Sequence, residues 1–157
     1  MALFAGVPYA PGNLTAVATS TTGRGGGDGA ESVSRTLLTA GTAAALSLSA
    51  DAAQLAAGDR NALAYVSVQV VDAQGVPVPA ARVRVRFSVL HGGGAELAAV
   101  GSGDPSDTSS FFSGERVTWR GRALAVLRPL RAGTKGNVTL VAQADGLPPA
   151  SVTVDLV

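Results

Sequence analysis

The stretch Ala81-Arg82-Val83-Arg84-Val85-Arg86-Phe87-Ser88-Val89 decides the fold class. Val83, Val85, Phe87 and Val89 fall at every second position, and Arg82, Arg84, Arg86 and Ser88 fill the gaps. A helix would scatter both sets around its circumference. A pleated strand collects each set on one face. The segment therefore reads as a half-buried antiparallel strand, with an apolar side against a core and a charged side outward.

The same period extends in both directions. Upstream, Leu63–Val71 puts Ala64, Val66, Val68 and Val70 on one face and Tyr65, Ser67 and Gln69 on the other. Leu46 and Leu48 alternate with Ser47 and Ser49. Downstream, Val138, Leu140 and Ala142 alternate with Thr139, Val141 and Gln143. Val152, Val154 and Leu156 alternate with Ser151, Thr153 and Asp155. Between these runs stand turn formers: Asp72-Ala73-Gln74-Gly75, Gly92-Gly93-Gly94, Gly101-Ser102-Gly103-Asp104-Pro105 and Asp145-Gly146. Counting from Ala44 to Val157 gives about seven candidate strands, the complement of an immunoglobulin-like Greek-key β-sandwich. The Ala-rich run Ala50–Ala57 allows one helical turn. No long helix is predicted.

Composition fits this class. Apolar residues are 46% of the 157 and aromatics only 4%, so the core must come from Val, Leu and Ala. A (β/α)₈ barrel takes roughly 250 residues and does not fit in this length. Twelve basic and eleven acidic residues leave a net charge of +1, which gives no electrostatic case for nucleic acid or an anionic membrane. With no cysteine, disulfide frameworks and thiolate metal sites are excluded. No run reaches the ~20 apolar residues of a membrane span, and Met1–Gly12 has no basic n-region of a signal peptide.

The first forty residues differ. Leu14, Ala16 and Ala18 alternate, Thr19–Gly29 is rich in Gly, Ser and Thr, and Val33–Ala40 can return as a strand. This predicts a hairpin with a Gly-rich loop at 23–29. A lone hairpin is marginal in water, so the segment needs partners. The expected division is a partial β-domain over 1–41 and a complete sandwich over 42–157.

Candidate chemistry is sparse. Asp104 and Asp107 could offer two oxygens to a hard cation, but Asp-Pro and Ser are turn initiators, and calcium-loop spacing is absent. His91 stands alone, without the second ligand of a zinc site or the positioned partner of a general base. The acids sit mostly at turns rather than as a glycosidase pair, and no serine occupies a nucleophile elbow. Gly23–Gly29 lacks the Gly-Lys-Ser/Thr ending of a phosphate loop. Arg82, Arg84 and Arg86 read as a solvated face, or a salt-bridged one against a neighbouring domain; Arg116, Arg120, Arg122, Arg128 and Arg131 follow as a second basic group. Phe111, Phe112 and Trp119 are the candidates for sugar stacking or interdomain contact, against the commoner use of such residues in cores. No catalytic residue, cofactor or metal ligand is expected.

Val7-Pro8-Tyr9-Ala10-Pro11-Gly12-Asn13-Leu14-Thr15-Ala16-Val17 resembles a motif in the C-terminal β-domains of glycoside hydrolase family 2, the β-galactosidase-like group. Thr39-Ala40-Gly41 followed by Ala44–Asp51 looks like the junction into their last domain. Leu63–Pro79 is similar to that domain's opening hairpin, which bacterial adhesin repeats share. Val100-Gly101-Ser102-Gly103-Asp104-Pro105 resembles its Gly-Asn-Gly-Asp-Pro loop, with Ser102 in place of Asn. Gly121–Arg128 and Ala142–Ser151 fit its last strands. The resemblance implies a non-catalytic C-terminal piece of such an enzyme, whose catalytic Glu residues lie in a barrel absent from this sequence. Its implied partners are the other domains of the hydrolase, with carbohydrate as a further candidate; a truncated gene model would account for Met1. The alternative is a free-standing carbohydrate- or surface-binding module of adhesin type. No tandem repeat is visible within the chain.

Overall fold

The computed structural model describes residues 5–20, 31–90 and 94–157. The Gly-rich loop at 23–29 and His91 lie outside the described residues. The chain divides into two compact units, Met1–Thr39 and Ala40–Val157. The change comes two residues before the boundary expected from sequence.

The first unit is one hairpin. Strand β1 (Asn13–Ser20) pairs antiparallel with β2 (Glu31–Leu38), from Asn13↔Leu38 to Ser20↔Glu31. Thr39 N–H donates to the Gly12 carbonyl at 2.9 Å, and Gly12 N–H donates to Thr39 Oγ1 at 3.1 Å, closing the open end. Thr15 and Thr36, directly opposite, share a hydroxyl bond of 2.8 Å. The register gathers Leu14, Ala16, Ala18, Val33 and Leu37 on one face, interrupted by Arg35. That face is apolar yet exposed: Leu37 keeps 71% of its surface and Val33 64%.

The second unit is a two-layer sandwich with nine strands among the described residues. One sheet holds β3 (Ala45–Ala50), β5 (Ala64–Val71), β9 (Arg122–Pro129) and β7 (Ala95–Gly101), in the order β3-β5-β9-β7. The other holds β4 (Gln54–Leu55), β11 (Leu147–Leu156), β10 (Gly136–Ala144), β6 (Arg84–Leu90) and β8 (Glu115–Val117), in the order β4-β11-β10-β6-β8. Four strands face three long ones, with the short β4 and β8 at opposite edges of the second sheet. The chain changes sheet at every connection from β3 to β10 and stays in one sheet only from β10 to β11, with β5 beside β9 and β6 beside β10. This is the Greek-key order of an immunoglobulin-like sandwich.

Alternation becomes burial here. Val66, Val68 and Val70 of β5, Val85 of β6, Ala125 and Leu127 of β9, and Val138 and Leu140 of β10 are all closed to solvent. Together with Val154 and Leu156 they fill the space between sheets without a single large aromatic except Phe87. Short and β-branched side chains suffice because inner faces of packed sheets lie only about 10 Å apart.

Two local expectations change. The Ala50–Ala57 segment makes no helical turn; it contains β4, parallel to the end of β11. The Ala53 carbonyl accepts from Asp155 N–H, the Leu55 carbonyl accepts from Val157 N–H, and Ala57 N–H donates to Val157. Tertiary pairing uses the backbone groups that a helix would need, and Leu55 is buried in return. The strand read from Ala81 begins at Arg84. Before it, Thr118 replaces the ladder: its N–H donates to the Val83 carbonyl, its Oγ1 to that of Ala81, and Val83 N–H donates to Oγ1. Just beyond, Arg120 and Gly121 both take positive φ, the two-residue hairpin conformation that returns the chain into β9. A Cβ at Gly121 would stand 2.3 Å from the Val78 carbonyl oxygen, so only glycine fits there.

Candidate functional site

Polar side chains converge at the β8 edge of the five-stranded sheet. In the β6–β8 ladder Arg116 lies opposite Val85. Directly opposed residues share a face, so Arg116 points to the inner side of the sandwich, and it is 3% exposed. A buried guanidinium is costly unless its donors are met. One Nη donates to Asp107 Oδ2 at 2.7 Å; the other donates to the carbonyls of Val100 at 3.0 Å and Ser110 at 2.8 Å. The Phe111 ring centroid lies 5.4 Å from the guanidinium carbon. Arg116 Nε has no partner.

These contacts hold the loop between β7 and β8 in a defined shape. Asp104 accepts from Ser106 N–H at 2.9 Å and from its hydroxyl. Asp107 accepts from the backbone and side chain of Ser109 in the same way. Both are Asx-type turns, the turn role weighed for these residues. The Ser109 hydroxyl and then Arg116 hold the Asp107 carboxyl far below the usual carboxylate range. The Ser106 hydroxyl, followed by its N–H, lowers Asp104 as well. The loop also closes the outer edge of β7, because Val100 N–H donates to the Phe111 carbonyl at 2.8 Å.

A groove of about 270 Å³ runs beside this edge. Arg82, Arg84, Asp104, Ser106, Thr108 and Glu115 line it, with Arg116. Arg84 pairs with Glu115, and Arg86, further along, pairs with Asp145. The ridge read from sequence is thus partly neutralised by carboxylates of the same sandwich. The later arginines do not act as one patch. Arg116 is internal, Arg120 lies over Trp119 at 4.5 Å, and Arg128 joins Arg60 on Glu96 at 2.8 and 2.9 Å. Arg128 and then Arg60 hold the Glu96 carboxyl below its ordinary value.

The three aromatics named from sequence occupy two local structures. Phe111 and Phe112 end the β7–β8 loop, 62% and 83% exposed. Trp119 is half-buried and closes the turn into β9 through paired backbone bonds with Arg122. Two further polar centres were not singled out. Arg116 appeared only as one of several arginines, since its acceptors come from carbonyls remote in sequence. Asp72, read as a turn residue, is 4% exposed. It accepts from the N–H groups of Gly41, Gln74 and Val76 at 2.8–2.9 Å, with Gly41 the largest cause of its lowered pKa. Among the described residues, no three His, Cys, Asp or Glu side chains come together as metal ligands, and no helix is long and apolar enough to cross a membrane.

Residues 46–153 match the family described as glycoside hydrolase family 2 C-terminal domain 5. A comparison with curated proteins found no match. Among solved structures, the chain is similar to a glycosyl hydrolase family 2 member from Bacteroides cellulosilyticus. The two are 34% identical with a TM-score of 0.81, over 96% of this chain and 18% of that one. It is also similar to a beta-glycosidase from Bacteroides vulgatus, at 23% identity and TM-score 0.79, again over 96% and 18%. The D00-D0 domain of intimin shares the fold alone, at 19% identity and TM-score 0.53, over 94% of this chain and 66% of that one. The chain thus spans about a fifth of the length of the two glycosidases.

Proposed function

The chain belongs to the C-terminal domain family of glycoside hydrolase family 2, and from that membership we propose that it is an architectural, non-catalytic part of a β-galactosidase-like enzyme. The carrying observation is the pairing of near-complete coverage of this chain with 18% coverage of the glycosidase it resembles at 34% identity. Hydrolysis of a glycoside needs two carboxylates flanking a sugar, one of them free to hold or give a proton. The strongly perturbed carboxylates here are lowered and committed to turns or arginines, as with Asp107 on Ser109 and Arg116. Among the described residues, none of these is raised towards the general-acid role.

The hairpin supports the same reading. Its face of Leu14, Ala16, Ala18, Val33 and Leu37 has the alternation of a sandwich layer and the exposure of one without its opposite sheet. In this reading the hairpin is the end of a preceding sandwich of the enzyme, and the other domains of the hydrolase are the partners. Phe111 and Phe112 are candidates for contact with those domains. The test is direct. The pure chain, incubated with nitrophenyl galactosides, glucosides and glucuronides, is expected to release no nitrophenol above buffer. Turnover that co-purifies with the chain and survives repeated purification would overturn the proposal.

A further inference from the structure

Each sheet of the sandwich ends in two edges, and three of the four are shielded in ways that discourage pairing with another chain. Strand β7 is irregular between Leu97 and Ala99 and is closed by the bond from Val100 N–H to the Phe111 carbonyl. Strand β8 has three residues, two of them charged. At the far side of that sheet β4 covers one end of β11, and Pro148 and Pro149, which have no N–H, stand at the other. Strand β3 has none of these devices. Ala45-Leu46-Ser47-Leu48-Ser49-Ala50 carries no charge and no proline and pairs with β5 in unbroken register. Its backbone groups divide cleanly. Asp51 N–H donates to the Tyr65 carbonyl at 3.1 Å, in step with Ser49↔Ser67 and Ser47↔Gln69. Hydrogen-bonded residues alternate along an antiparallel pair. Ala45, Ser47 and Ser49 therefore bond β5, while Leu46, Leu48 and Ala50 turn their N–H and C=O groups outward. Among the described residues β5 is the one strand beside β3, and no loop bonds to that outer side.

We propose that this edge pairs antiparallel with β3 of a second copy of the chain, about a two-fold axis at Leu48, so that two four-stranded sheets join into one. The strand is complementary to itself. With Leu48 opposite Leu48 and Leu46 opposite Ala50, every outward N–H and C=O of both copies is paired. A shift of two residues leaves Leu46 or Ala50 of each copy unpaired. Between these pairs exposed Ser47 stands opposite exposed Ser49 of the second copy. Hydroxyls bond across strands in this way at Thr15 and Thr36 and at Thr139 and Thr153. No like charges meet, since Asp51 falls opposite Ala45. The isologous contact also closes, whereas a head-to-tail partner strand leaves an open β3 edge on each assembly.

The contact is independent of the hydrolase reading, and its test reads association alone. The full chain is followed by sedimentation equilibrium from about 10 μM to about 1 mM, the range of weak dimers. Its mass is expected to rise toward twice that of the monomer, and the amides of Leu46, Leu48 and Ala50 are expected to exchange several-fold more slowly at the concentrated end. Ser47→Lys with Ser49→Lys sets like charges opposite one another at both serine pairs. That variant is expected to stay monomeric throughout, with the unfolding midpoint in dilute solution unchanged. Ser47→Lys with Ser49→Glu instead sets opposite charges together at both pairs, and is expected to recover the dimer. A wild-type monomer at every concentration overturns the proposal. So does a dimer that survives both lysines, which would assign association to another surface such as the hairpin face, and so does a Lys–Glu variant that stays monomeric.

Discussion

The hairpin and the sandwich are written in the same alphabet and have opposite fates. Leu14, Ala16 and Ala18 alternate as regularly as Val66, Val68 and Val70, and both sets form eight-residue strands. In the sandwich the alternating face is closed to solvent; in the hairpin it stays exposed, with Leu37 at 71%. The difference is a second layer. A strand's period sets which side chains share a face, but only an opposing sheet removes that face from water, and burial supplies the stabilisation. The hairpin is local structure in want of a core.

The largest test of this contrast is Leu140→Ala. Leu140 is fully buried between the sheets, and truncation there is expected to cost about 3–4 kcal/mol in urea unfolding. A cost below about 1 kcal/mol would break the contrast from the sandwich side. Next comes Arg116→Met, which strips the β7–β8 loop of its anchor, leaves the Val100 and Ser110 carbonyls without the guanidinium donor and leaves the Asp107 carboxylate only its bonds from Ser109. A loss of about 3 kcal/mol is expected, with large changes in the amide spectrum at Val100 and Ser110. A neutral outcome would mean that the loop holds its shape through its Asx turns alone.

A third test uses acid. The carboxyls of Asp72, Asp104, Asp107 and Glu96 all have lowered folded-state values. Groups of this kind stabilise the fold above the ordinary carboxylate pKa, about 4, and that contribution is lost as pH falls through the folded-state values. The Tm of the sandwich is therefore expected to be flat near neutrality and to decline below about pH 4. Asp72→Asn should lower the neutral-pH Tm and make the acid decline shallower. The smallest expected effect is that of Leu37→Ala in the hairpin, within about 0.5 kcal/mol in the main unfolding transition. A loss as large as that of Leu140→Ala would show that the Leu37 face is covered in solution.

What could be read from sequence follows the same physics. The strands β5, β6, β10 and β11 were legible because polar and apolar residues take turns in them, one face wet and one dry. In β9, Leu124 and Val126 fill the outer positions between Ala123, Ala125 and Leu127, so no clean alternation marks it. Strand β7 is masked by its small residues and by the irregular register between Leu97 and Ala99. Strands β4 and β8, with two and three residues, are too short to carry a period; they exist because β11 and β6 offer them a ladder. Of the candidate site, the turn-forming Asp104 and Asp107 and the loop aromatics could be named from residue type. The place of Arg116 could not, since it depends on register with Val85 and on carbonyls sixteen and six residues away.

Amide hydrogen exchange on the full chain tests the central contrast most directly, because it reads both regions in one sample. Amides of the central strands β5, β9 and β10 are expected to exchange only through global unfolding, while those of β1 and β2 exchange orders of magnitude faster. Protection of the Asn13–Ser20 and Glu31–Leu38 ladder equal to that of Val68, Leu127 and Leu140 would contradict the account and make the hairpin a stable unit in its own right.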